Sequence, residues 1–82
     1  MLEILNKISV KTDAKNSKLT INFEGHTELS IYDVCDLNGR ILKTGRIPSD
    51  ITDIDISDLD SGTYLLLILD GDRMFSQRFK LA

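Results

Sequence analysis

The most constraining feature of this sequence is an alternation of apolar and polar residues with a period of two. It is clearest in residues 18–24, where Leu19, Ile21 and Phe23 are separated by polar residues. Successive side chains of a β-strand point to opposite faces, so this period predicts strands that bury one face. A helical period is almost absent, and the chain is therefore predicted to be all-β.

The alternation and the turn signals between its segments predict about seven strands. The predicted segments are 7–12, 18–24, 28–35, 40–47, 51–57, 63–69 and 73–81. Turn signals at intervals of about eight to twelve residues are typical of a β-sandwich. We expect residues 1–82 to form a single immunoglobulin-like antiparallel β-sandwich, with a helix considered only at residues 2–7.

Two glycine-containing dipeptides predict tight hairpins. Asn38-Gly39 predicts a type I′ turn, in which both central residues need positive φ. If Asp70 and Gly71 are the two loop residues of the last hairpin, Leu66 faces Phe75. This register brings the apolar faces of the last two strands together.

The predicted strand at residues 63–69 has apolar side chains on both faces. If Tyr64 and its even-numbered neighbours fill the core, Leu65 and Leu67 face outward, and the predicted register sets Met74 beside Leu67. The outer face of a sandwich usually carries polar residues, so we expect another surface to cover this patch. The candidates for this covering surface are the apolar residues at 2–5 of the same chain and a second copy of the chain in a homodimer.

Composition limits the classes of function. The chain is 41% hydrophobic and 28% charged with a net charge of −3, which fits a globular domain without a nucleic-acid partner. The longest apolar run, residues 65–69, is too short to cross a membrane, and no signal peptide is visible. A single cysteine excludes an internal disulfide.

No set of residues predicts catalysis or a cofactor. Nucleophilic catalysis needs a nucleophile, a base and a group that orients the base. The single histidine, His26, lies in a predicted turn, and Cys35 lies in an apolar strand as a small core residue. One cysteine and one histidine cannot complete a tetrahedral zinc site. We therefore expect a protein that is not an enzyme.

Aspartates are concentrated between residues 50 and 60, and a calcium loop at residues 58–62 is the less favoured interpretation. Such a loop needs several converging oxygens and a later bidentate acid, but Tyr64 begins an apolar strand instead and no glutamate follows. The favoured interpretation is that Asp53 and Asp55 form the charged outer face of an edge strand, which resists aggregation.

The second half of the chain resembles a known family. Residues 34–44 have the sequence VCDLNGRILKT, and residues 54–68 have the sequence IDISDLDSGTYLLLI, followed by the basic and aromatic segment QRFKL at 77–81. This order resembles the C-terminal type A sorting domains of the type IX secretion system of Bacteroidetes. The resemblance covers residues 8–82 and is strongest from residue 34.

The motif residues of this resemblance are Asp36, Gly39, Leu59, Gly62 and Tyr64. Their expected roles are structural: the glycines allow tight turns, and Tyr64 can bury its ring while its hydroxyl reaches a backbone group. Upstream the sequence departs from the family, because residues 10–14 lack the usual prolines and Cys35 replaces an aromatic residue.

The resemblance implies a sorting and surface-attachment module at the C-terminus of a longer secreted protein. Its implied partners are an outer-membrane translocon and a sortase-like peptidase, reached through the periplasm on the way to the cell surface or the medium. Recognition is implied at Arg78, Phe79 and Lys80, and the patch of Leu65, Leu67 and Met74 becomes a candidate docking surface. The alternative is a free-standing secreted or periplasmic adhesion or carbohydrate-binding sandwich.

Overall fold

A computed structural model describes residues 8–82 of the chain. These residues form seven β-strands: β1 (Ile8–Asp13), β2 (Lys18–Phe23), β3 (Ser30–Cys35), β4 (Ile41–Arg46), β5 (Ile51–Asp55), β6 (Gly62–Asp70) and β7 (Arg73–Leu81). The predicted number of strands is confirmed. The helix considered at residues 2–7 lies outside the described residues. Within residues 8–82, no helix is long and apolar enough to cross a membrane.

The seven strands form two antiparallel sheets. The first sheet has the order β1-β2-β5, and the second sheet has the order β4-β3-β6-β7. Hydrogen-bonded neighbours are antiparallel throughout both sheets. The interior strands of the second sheet, β3 and β6, are the two whose sequences are apolar on both faces. The prediction of an all-β antiparallel sandwich is confirmed.

The hydrophobic core lies between the sheets. Leu19 and Ile21 of the first sheet and Leu66 and Ile68 of the second are completely buried. Further buried apolar residues are Ile8, Phe23, Val34, Ile47, Ile54, Ile56, Tyr64 and Phe79. Each fully buried aliphatic or phenylalanine side chain contributes about 1.5–3 kcal/mol. The alternation in the sequence therefore identified the inner faces of β2, β5, β6 and β7 correctly.

The register of the β6–β7 hairpin differs from the prediction by two residues. Asp70 pairs with Arg73 at the end of the ladder, so the loop consists of Gly71 and Asp72. The observed partners of Leu65, Leu66, Leu67 and Leu69 are Arg78, Gln77, Ser76 and Met74. The predicted pairing of Leu66 with Phe75 is thus wrong. A shift of two residues nevertheless leaves every side chain on its predicted face.

Contacts from a distant loop keep Asp70 inside the ladder. Asp70 is buried, and its carboxylate accepts hydrogen bonds from Thr27 Oγ1 and, at 2.6 Å, from Arg73 Nη2. The backbone N–H of Thr27 donates to Ser30 Oγ, while Ser30 pairs with Asp70 across β3 and β6. The alternation predicted that this strand begins at Glu28. The turn explains why β3 begins at Ser30 instead.

The loop between β3 and β4 is not the predicted type I′ turn. Gly39 has a φ of 86°, but Asn38 does not have a positive φ. The backbone N–H of Gly39 donates to the carbonyl of Asp36, and the Asp36 carboxylate accepts from the N–H groups of Asn38 and Arg40. Asp36 therefore closes the loop, and glycine is needed at only one of the two positions.

Two strands at the edges of the sheets carry charged residues. In β5, Asp53 and Asp55 face outward, as predicted for an edge strand. In β4, Leu42 is the extra residue of a β-bulge opposite Val34 and Cys35. Lys43 shares the inner face with Val34, and its Nζ lies 2.8 Å from Asp58 Oδ1.

Candidate functional site

The residues of the second-half motif stabilise the fold. The hydroxyl of Tyr64 donates a hydrogen bond of 2.6 Å to the carbonyl oxygen of Asp60, and its ring stacks on Phe79. Gly62 has a φ of 148°, which other residues rarely adopt, and it starts β6 just before Tyr64. Leu59 is half-buried against the core. Together these contacts fix the entry of the chain into β6.

Two residues carry potentially reactive groups, the imidazole of His26 and the thiol of Cys35. His26 Nδ1 lies within hydrogen-bond distance of Asp50 Oδ1, which links the β2–β3 loop to the β4–β5 loop. Cys35 is 4% exposed, and burial is the main cause that raises the pKa of its thiol, followed by the charges of Asp33 and Asp36. A raised pKa keeps the thiol protonated and unreactive.

The aspartates between residues 50 and 60 contact groups of the chain itself. Asp58 accepts a hydrogen bond from Lys43, which lowers its pKa, and Asp55 accepts from the N–H of Ser57, which lowers its pKa as well. Asp53 accepts from Thr20 Oγ1. Among residues 8–82, no group of three or more histidine, cysteine or acidic side chains could hold a metal ion.

The outer face of the first sheet is polar. Its outward residues, aligned by the strand registers, are Ser9, Lys11, Asp13, Lys18, Thr20, Asn22, Ile51, Asp53 and Asp55. Ile51 is the apolar member of this set. Opposite charges lie side by side, with Lys18 Nζ 3.9 Å from Asp53 Oδ2. Such a face is typical of a sheet that contacts only water.

The outer face of the second sheet is different. Leu65, Leu67 and Leu69 of β6 project outward. Leu69 lies between Ile31 of β3 and Met74 of β7, because it pairs with both. The leucines are half-buried by their neighbours, whereas Met74 is 64% exposed. The structure thus places Leu65, Leu67 and Met74 on one face, although Met74 pairs with Leu69 and not with Leu67.

The same face carries the basic end of the last strand. Arg78 pairs with Leu65 and Lys80 with Thr63, so both cations project outward beside the leucines. Phe79, between them, points inward and is buried. A partner on this face would therefore contact Arg78 and Lys80, whereas Phe79 packs in the core. Two sets of residues that the sequence presented separately form one surface.

Arg46 belongs to the same face, although no pattern in the sequence indicates it. Arg46 of β4 pairs with Ile31 of β3. Ile31 also pairs with Leu69 of β6, and Leu69 pairs with Met74 of β7. Arg46 therefore completes the outermost row of the sheet, at the corner diagonally opposite Lys80. Its position depends on the pairing of strands distant in sequence, so no local pattern marked it.

These three cations have no carboxylate partner in the described part of the chain. The ion pairs there involve Lys18, His26, Arg40, Lys43 and Arg73, and Arg46, Arg78 and Lys80 are not among them. The outward carboxylate of the face belongs to Asp33, opposite Leu67. The chain as a whole has a net charge of −3, so positive charge is concentrated on this apolar face.

Comparison with known proteins agrees with the resemblance in the second half. The family model described as a secretion system C-terminal sorting domain matches residues 15–81, which include every strand from β2 to β7. Residues 8–14, with β1 and the segment that lacks the prolines, lie outside the match. A search of curated proteins finds no match to the chain.

Proposed function

The chain belongs to the secretion system C-terminal sorting domain family, and from this premise we propose that it is a folded, non-catalytic tail that directs a cargo protein through the type IX secretion system. The family match over residues 15–81 is the observation that carries the proposal. Members of this family interact with the type IX machinery and are parts of secreted or cell-surface proteins of Bacteroidetes.

The outer face of the second sheet is the docking site that we assign to this function. A sorting tail must present a surface that the machinery can distinguish from the rest of the cargo. The outer face of the first sheet is polar, but that of the second sheet carries half-buried leucines and the exposed Met74 beside the cations Arg78 and Lys80. Exposed apolar patches bordered by polar residues are typical of interaction sites.

The absence of catalysis in this proposal is supported by the state of the reactive groups. Cys35 is buried and the pKa of its thiol is raised, which makes the thiol a poor nucleophile. The carboxylate of Asp55 accepts from the backbone N–H of Ser57, and that of Asp58 pairs with Lys43. These groups stabilise the sandwich, which leaves recognition as the task of its surface.

The proposed route passes through the periplasm. The chain folds there, docks on an outer-membrane translocon and leaves the cell with its cargo. A sortase-like peptidase then removes the sandwich or exchanges it for a surface anchor. The compact core, with Tyr64 and Phe79 stacked inside, allows the sandwich to act as one folded unit.

The test is export of a reporter. The whole 82-residue chain is fused to the C-terminus of a periplasmic reporter in a host with type IX secretion. We expect the reporter at the cell surface or in the medium, and in the periplasm when residues 77–82 are deleted or the host lacks the system. Retention of the fusion with the complete chain in the periplasm would refute the proposed function.

The basic end of β7 is tested separately from stability. Arg78→Ser with Lys80→Ser removes two exposed cations, so the melting temperature should change by a few degrees at most. We expect this folded variant to be exported poorly. Normal export would show that these two cations are not the signal.

A further inference from the structure

We infer that the outer face of the second sheet binds an apolar surface bordered by carboxylates on the secretion machinery, and that it does so as a single copy. This inference rests on the proposed function and specifies the chemistry of the partner. It adds Arg46 to the recognition surface, although Arg46 lies more than thirty residues before Arg78 in the sequence. The surface is therefore assembled by the fold.

The arrangement of charge determines the kind of partner. Arg46 ends one row of the sheet, and Arg78 and Lys80 border the face on the opposite strand, with Leu65, Leu67 and Leu69 between them. Each cation lacks a carboxylate partner within residues 8–82. A surface with an apolar centre and acidic groups on both sides would pair the cations and bury the leucines together.

The size of the face indicates a transient contact. Four strands about 4.8 Å apart give a width of about 14 Å, and the steps from Met74 to Lys80 give a length of about 20 Å. The resulting area of about 300 Å² per molecule is below the roughly 800 Å² per partner of a stable complex. A cargo tail that must be released after export needs only such a weak contact.

A second copy of the chain is a poor occupant of the same face. Two-fold contact of the face with itself would bring three cations from each copy together against one carboxylate, Asp33, from each. Like charges across an interface are repulsive. Two such faces would also bury only about 600 Å² in total, whereas a stable dimer buries about 1,200 Å² or more.

Charge reversal with matched controls tests the inferred pairing of these cations with carboxylates of the partner. The reporter fusion is made with Arg46→Glu and with Arg78→Glu plus Lys80→Glu. The controls, Lys11→Glu and Lys11→Glu plus Lys15→Glu, change the net charge equally but lie away from this face. We expect both test variants to lose at least tenfold in surface reporter, and both controls to be exported like the wild type.

Failure of the inference is distinguishable from failure of the proposed function. A wild-type fusion that stays in the periplasm refutes the proposed function. A wild-type fusion that is exported, together with a folded Arg46→Glu variant that is exported equally well, overturns the inference and leaves the sorting role intact. Equal loss in the Lys11 controls would show that net charge alone matters and would also overturn it.

The inferred apolar contact is tested by comparing Leu67→Lys with Ile51→Lys. The second variant adds the same cation to the outer face of the first sheet. Export should fall for Leu67→Lys and not for Ile51→Lys, provided that both variants keep their melting temperatures. Light scattering of the isolated wild-type chain should give the mass of a monomer. A dimer that Leu67→Lys converts to a monomer would overturn the single-copy inference.

Discussion

The hydroxyl of Tyr64 donates a 2.6 Å hydrogen bond to the carbonyl oxygen of Asp60, four residues earlier in the chain. The bond crosses the loop that enters β6 and leaves the ring of Tyr64 stacked against Phe79, with 5.6 Å between the ring centres. One side chain thus fixes a loop through its polar end and fills the core through its apolar body.

This double role gives a graded prediction for Tyr64. Tyr64→Phe removes only the hydrogen bond and should lower the free energy of unfolding by about 1 kcal/mol. Tyr64→Ala also removes the buried ring and should cost about 3 kcal/mol or more. Chemical denaturation measures both. A loss under about 1 kcal/mol for Tyr64→Ala would mean that the ring does not support the core.

The loop between β3 and β4 predicts unequal effects at two adjacent residues. Gly39 has a φ of 86°, so Gly39→Ala should destabilise the chain by about 1–2 kcal/mol. Asn38 does not have a positive φ, so Asn38→Ala should change stability by much less. Equal losses at the two positions would instead favour a type I′ turn. Thermal unfolding of the two variants separates these outcomes.

Gly45 in β4 lies directly beneath the ring of Tyr32. A Cβ atom at residue 45 would lie 2.7 Å from the ring carbon Cε2 and from the hydroxyl oxygen. We expect Gly45→Ala to displace the ring and cost about 1–3 kcal/mol. In a Tyr32→Ala background the same substitution should cost little, which a double-mutant cycle by urea denaturation checks. An unchanged cost in that background would assign the effect to the backbone.

Asp70 predicts an acid-dependent loss of stability. Hydrogen bonds from Thr27 and then Arg73 lower the pKa of its carboxyl below the ordinary value of 3.8. A folded-state pKa below the unfolded one stabilises the protein above the unfolded pKa, and this stabilisation disappears as the pH falls through the folded pKa. The melting temperature of Asp70→Asn should therefore lie below that of the wild type at neutral pH. The difference should shrink below about pH 4.

Asp72 provides the control for the substitution of an aspartate in this hairpin, because its side chain is exposed. Asp72→Asn should have a melting temperature close to that of the wild type at neutral pH, because the side chain of Asp72 is exposed. Should the Asp70→Asn difference stay constant down to pH 3, the charge of Asp70 would not be its source.

The sequence predicted the strands, and the inner faces of β2, β5, β6 and β7, because both depend on local alternation. Leu19, Ile21 and Phe23 need only their neighbours in the chain to be recognised as one buried face. The hairpin at Asp70-Gly71 is different, since a dipeptide does not say which two residues form the loop. That choice depends on Thr27, which holds Asp70 from a loop that is distant in sequence.

The candidate docking face was predictable only in part for the same reason. Leu65, Leu67 and Met74 were recognised from the excess of apolar residues in and beside one strand, and Arg78 and Lys80 from a resemblance. Their union on one surface, and the presence of Arg46 there, follow from the pairing of four strands. Pairing partners are set by tertiary contacts, which single-strand patterns do not encode.

Lys43, which faces inward on the edge strand β4, affects whether copies of the chain associate when many of them share one compartment. A strand from another molecule that extended the sheet at β4 would have to cross the bulge at Leu42 and desolvate Lys43, which is paired with Asp58. Bulges and inward charges of this kind stop edge-to-edge growth of sheets. Addition of another copy at this edge is therefore unfavourable, although the second sheet contains the leucine-rich strand β6.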